Sequence, residues 1–83
     1  MGELATIVKA RRVELGLSQI ELGEKLGLSD GRSYLSRIEA GRLIPSRKRL
    51  DALERALDLS IGELQVAALS DERSREGSRE GTV

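Results

Sequence analysis

Four side chains between residues 32 and 37 have the types and spacing to read a hydrogen-bonding surface. Ser33 and Arg37 are four residues apart and share one face of a helix, with Arg32 and Ser36 as the neighbouring row. A guanidinium carries a planar fork of N–H donors. That fork matches the O6 and N7 acceptors of guanine, and also the oxygens of a phosphate. Arg37 is therefore the first candidate for a base-edge contact, followed by Arg32, Ser33 and Ser36. The alternative for both arginines is a grip on phosphates alone. Between Ser29 and Leu50 stand six basic residues, Arg32, Arg37, Arg42, Arg47, Lys48 and Arg49, against two acids, Asp30 and Glu39. A basic face makes a local positive field even on a chain whose net charge is zero. The bland alternative is a solvated charged surface.

Other chemistries lack their residues. The chain has no cysteine, hence no disulfide framework and no thiolate zinc site. It has no histidine, the commonest general base and metal ligand. No phosphate-binding glycine loop and no carboxylate pair in a pocket-forming context is visible, so neither an enzyme nor a cofactor or metal is expected. No run of about 18 apolar residues and no basic-then-apolar leader occurs, which predicts a cytoplasmic protein with no membrane span.

The elements that must position the candidates are helical. Eighty-three residues make one small domain, and one that buries only about 60% of its unfolded surface. Its core must be aliphatic, with 14 Leu, 5 Ile and 4 Val against a single aromatic, Tyr34. Leu4, Val8, Arg12 and Leu15 make one stripe of a first helix from about Glu3 to Leu15, with Ile7 beside it and Gly16 at its end. Ser18 and Glu21 form an S-x-x-E capping box that opens a second helix. Leu22 and Leu26 face inward there, and Gly23 marks a close crossing. A third helix runs from near Asp30–Arg32 to Ala40, with Leu35 and Ile38 inward. Ser46 caps a fourth, whose buried face is Leu50, Leu53 and Leu57. Ser60 and Glu63 predict a second capping box opening a fifth helix from Ile61 to about Leu69. The fold class is all-α, a compact five-helix domain over 1–69. Residues 70–83 contain the repeat S-R-E-G-S-R-E-G and are expected to be a flexible, disordered polar tail or a frayed extension of helix 5.

The segments A-R-R-V-E-L-G-L-S-Q-I-E-L-G-E-K-L-G-L-S (10–29), S-Y-L-S-R-I-E-A-G (33–41) and L-D-A-L-E-R-A-L-D-L-S-I-G-E-L (50–64) resemble the lambda-repressor-like helix-turn-helix family. The resemblance covers roughly residues 4–64. It implies a five-helix fold whose third helix reads the major groove of a double-stranded DNA operator, usually as a homodimer. This sequence departs from the family at one place. Leu35, the buried aliphatic of helix 3, comes two residues late, which implies an insertion around Asp30-Gly31. Either helix 3 gains part of a turn or the loop before it bulges.

Further site residues follow. Gln19 and Ser18 stand at the start of helix 2, where the helix dipole favours an anion by about 0.3–1 kcal/mol, and the family's Gln touches the sugar-phosphate backbone and sometimes a base. The Tyr34 phenol is a phosphate contact or a half-buried packing residue. Arg42, Arg47 and Lys48 lie where the family grips the other wall of the groove. Arg12 sits on a core-facing stripe, an expensive place for an unpaired charge; in the family fold Glu39 faces that stripe, which predicts a structural salt bridge. The expected dimer interface is Gln65, Val66 and Leu69, unless Val66 and Leu69 finish the monomer core. A transcriptional regulator, most simply a repressor, is the leading reading. The alternative is an antitoxin-type protein that binds a toxin partner and autoregulates its operon.

Overall fold

A computed structural model describes residues 2–80, with side chains described for residues 2–73. Among them are five helices and no strand: α1 (Glu3–Glu14), α2 (Gln19–Lys25), α3 (Gly31–Glu39), α4 (Arg47–Ala56) and α5 (Glu63–Glu80). Helix α1 packs on α3 and α5, α2 on α3, and α4 on α5. Leu4, Val8, Leu22, Leu35, Ile38, Leu50, Leu53, Leu57 and Leu64 interlock at the centre, closed by Ala67 and Ala68. No described helix is long and apolar enough to cross a membrane.

Local signals explain most boundaries. Ser18 Oγ accepts from the Glu21 N–H at 3.0 Å, and Glu21 Oε1 accepts from the Ser18 N–H at 2.9 Å, so the first capping box is complete. Ser46 Oγ caps α4 through the Arg49 N–H. Leu15, expected on the inward stripe, is exposed. Helix α1 stops at Glu14, and Gly16 at φ 70° turns the chain, so that Leu17 packs against the core instead.

The start of α5 is a larger correction. Ile61 lies outside the helix and is 92% exposed, and the Ser60 side chain does not cap it. Glu54, a buried residue of α4, accepts from the N–H groups of Gly62 (2.9 Å), Leu64 (2.9 Å) and Gln65 (3.3 Å). A carboxylate reaching three donors displaces the local hydroxyl cap, because the first turn of a helix offers several unpaired N–H groups.

Of the two expectations for 70–83, an extension of helix 5 describes residues 70–80, since α5 continues to Glu80; residues 81–83 lie outside the described ones. The helix end expected at about Leu69 therefore lies further along the chain. Asp71 Oδ1 and Oδ2 accept from the N–H groups of Glu3 (2.9 Å) and Leu4 (3.1 Å), capping α1, whose own N-cap residue is Gly2 and has no side chain to do so.

Helices α2 and α3 meet backbone to backbone. A Cβ built on Gly23 would fall 2.4 Å from the Gly31 Cα, and one on Gly31 would fall 2.3 Å from the Gly23 Cα. Gly31 thus opens α3 as a buried packing residue, and the connection before it is residues 26–30. Neither backbone can yield without moving a helix. Gly23→Ala is expected to cost about 1–3 kcal/mol by overpacking. A thermal melt of the variant that overlays the parent would show that the helices do not touch here.

Candidate nucleic-acid interface

Helix α3 turns Leu35, Ile38 and Glu39 into the core and leaves Arg32, Ser36 and Arg37 exposed, with Ser33 half-buried between them. The buried residues recur at helical spacing, so the opposite face is a continuous ridge of guanidinium and hydroxyl groups. All four residues proposed for base contact lie on or beside this ridge. Its geometry suits a helix laid along a groove.

One flank of the ridge is the start of α2. Arg32 lines a shallow depression of about 300 Å³ with Arg12, Ser18, Gln19 and Ile20. Beneath it, Arg12 and Glu39 form a two-point ion pair, Nε to Oε2 at 2.7 Å and Nη2 to Oε1 at 3.0 Å. Their side chains are 13% and 6% exposed. The third Arg12 nitrogen donates to the Leu17 carbonyl at 2.8 Å, and Gln19 Nε2 donates to Glu39 Oε1 at 3.3 Å. The hydrogen bond to Glu39 pushes the Arg12 pKa up; burial opposes this and the Glu39 charge adds to it. Helix α1 and both helices of the motif are thus tied through one carboxylate, and the Arg12 guanidinium also holds the loop before α2.

The other flank is α4. Tyr34 packs against the core, and the Arg49 guanidinium lies over its ring, 5.8 Å from the centroid. Burial raises the phenol's pKa, with Arg49 acting in the opposite sense, so the neutral O–H is kept as a donor. The packing role and an available hydroxyl coexist in this residue. Arg42 follows the end of α3, where its N–H donates to the Arg37 carbonyl at 2.9 Å.

Arg47 and Lys48, grouped by sequence, diverge across α4. Arg47 lines a groove with Leu50, Gln65, Val66 and Leu69, whereas Lys48 lines a cleft with Lys25, Asp51 and Arg55. Val66 and Leu69 are 67% and 56% exposed, so they do not finish the monomer core. Leu43 and Ile44 are half-buried and pack against that core.

Three residues that hold the scaffold were not singled out by sequence. Arg11 donates to the Leu57 and Asp58 carbonyls, at 2.9 and 3.4 Å, and closes the end of α4. Asp71 caps α1 from another element, a pairing with no local signature. Glu54 did carry a signal. It falls on the stripe of Leu50, Leu53 and Leu57, as Arg12 falls on that of Leu4 and Val8, and a charge on an apolar stripe needs partners.

A compact bundle presenting the second helix of a helix-turn-helix, with arginines and serines outward, defines a DNA-binding domain. The chain matches the helix-turn-helix family over residues 8–64 and belongs to it, a family of DNA-binding transcriptional regulators. It is similar to the ImmF control region 10 kDa protein of Bacillus phage phi105, 36% identical over 67 residues that cover 81% of this chain and 72% of that protein. It is also similar to the immunity repressor protein of the same phage, 36% identical over 75 residues, 88% of this chain and 51% of the repressor. The fold is that of a wild-type restriction-modification controller protein seen in a crystal structure, with TM-score 0.66, 24% identity, and coverage of 84% of this chain and 87% of that one.

Proposed function

We propose that this chain is a sequence-specific repressor that binds a double-stranded DNA operator as a homodimer, with α3 in the major groove. The observation that carries the reading is the outward ridge of Ser33, Ser36 and Arg37 beside Arg32, set on a buried apolar face. Arg37, Arg32, Ser33 and Ser36 read base edges. Gln19, Ser18, Tyr34, Arg42, Arg47 and Lys48 contact phosphates on either side, which set register without carrying sequence information. A relative named an immunity repressor, and a second named for the ImmF control region of the same phage, support a repressor over other regulators.

Two-fold symmetry places two copies of α3 about 34 Å apart on one face of the duplex. Val66 and Leu69, with Gln65 between the exposed and buried sides of α5, form the apolar strip that pairs. Val66→Glu is expected to leave the helical content of the folded domain unchanged in circular dichroism, to remove the concentration dependence of its Tm and to abolish the larger species in light scattering. An undiminished dimer would place the interface elsewhere.

Arg37→Ala tests the function itself. Arg37 bound to guanine contributes about 1–3 kcal/mol of discrimination, so the variant binds its selected site and random duplex with closer affinities. A phosphate clamp would weaken both alike and lower the slope of log K against log salt by about one. Wild-type protein that selects no motif from a random duplex pool removes the whole reading.

A further inference from the structure

Helices α2, α3 and α4 each open on a residue whose side chain could cap them, and α3 is left uncapped. Ser18 and Ser46, with ψ at 167° and 162°, each accept from an N–H of their helix. Asp30 precedes α3 with φ −124° and ψ 59°, and its carboxylate makes no capping bond. Only its backbone serves the helix, the carbonyl accepting from the Tyr34 N–H at 3.3 Å. Asp30 is exposed, and among the described residues its carboxylate has no hydrogen-bond or ion-pair partner. Its place is nevertheless fixed. The next residue, Gly31, is buried against the Gly23 backbone, which pins the start of α3. An uncommitted carboxylate is thus held on the inserted segment, at the leading end of the basic ridge and two residues before Arg32.

Against DNA, this group selects by exclusion. A carboxylate is an acceptor only, and so are phosphate oxygens and the guanine O6 and N7. No phosphate contact is open to it. The donors in the major groove are the amino groups at cytosine N4 and adenine N6. At adenine the N7 acceptor stands beside the amino group and meets the second carboxylate oxygen with like polarity; cytosine has no acceptor there. A helix-turn-helix sets the N-terminal end of its second helix against base edges, which is where Asp30 stands. We infer that Asp30 is a specificity-determining residue that accepts from the amino group of a cytosine and penalises the other bases at that position. The inference rests on the DNA-binding reading and deepens it. The segment by which this chain departs from the family supplies an acceptor among the donors of the ridge.

The test is selection from a random duplex pool by the wild type and by Asp30→Ala. The side chain bonds nothing in the free domain, so the two proteins should melt alike. The wild type is expected to return a C·G pair that Asp30→Ala no longer prefers, with the rest of the motif kept. Replacing that cytosine with pyrimidin-2-one, which lacks the amino group, should weaken the wild type by about tenfold and leave Asp30→Ala unaffected. Asp30→Asn keeps the shape but offers a donor beside the acceptor, and should admit adenine at the same pair. If Asp30→Ala instead binds every duplex more tightly by one factor, with the motif unchanged, the carboxylate is only repelled by the phosphates and the inference is overturned. An unchanged motif with unchanged affinity would make it a solvated charge and overturn it too. A wild type that selects nothing would remove the DNA reading along with it, a result distinct from either.

Discussion

Glu54→Ala is expected to destabilise the domain by about 3 kcal/mol, because it strips one buried and two part-buried N–H groups of their acceptor, the buried one alone worth about 1–3 kcal/mol. In a domain of this size such a loss lowers Tm by roughly 12–24 °C. Glu54 is 1% exposed, and its two oxygens serve Gly62, Leu64 and Gln65 at once. Water cannot replace it at Leu64, whose N–H bond to Glu54 is buried. The first turn of α5 would fray, and with it the burial of Leu64, Ala67 and Ala68. Glu54→Gln keeps one oxygen and should recover part of the loss, but sets an amide NH2 donor against the N–H it cannot serve. The check is calorimetric or circular-dichroism melting of both variants. An alanine variant within 1 °C of the parent would mean that Ser60 or solvent caps α5 adequately.

The ion pair of Arg12 and Glu39 comes next in size. Removing one partner of a buried pair leaves an uncompensated charge and costs about 3–5 kcal/mol. Arg12→Ala is the harsher change, since Glu39 is the more deeply buried partner and keeps only the Gln19 amide. In the parent protein the hydrogen bond to Glu39 raises the Arg12 pKa, so the guanidinium stays charged through neutrality and its contribution does not change there. The double change Arg12→Leu with Glu39→Leu should lose less than either single change. Some loss remains, because the Leu17 carbonyl and the Gln19 amide are then unpartnered. Additive single and double losses in denaturant titrations would show that the two residues are not coupled.

Much of the fold was legible because it is written in local terms. Apolar spacing places the helices, the Ser18 and Glu21 pair opens α2 and Gly16 ends α1. The pairing of Arg12 with Glu39 could be anticipated because a charge on a core stripe demands a partner and the family resemblance names one. Gly23 announced a close crossing. Its partner Gly31 did not, since within the chain it reads as part of an inserted turn, and only the meeting of two helices makes its missing side chain a necessity. The candidate interface divides in the same way. Arg37 and Ser33 follow from helical phase alone, whereas the separation of Arg47 from Lys48 depends on what packs against each side of α4.

By itself, then, the order of residues determined an all-helical domain, its family, and the outward face of its third helix, because periodicity and capping act over a few neighbours. Tertiary structure alone decided which carboxylates cap which helices, how α2 and α3 touch, where Arg47 and Lys48 diverge, and which way the Gln19 amide faces. Those outcomes depend on groups brought together from as far as 68 residues apart, as Asp71 is with Glu3. Nothing in a short stretch of chain encodes a hydrogen bond whose two ends meet only after the core has closed.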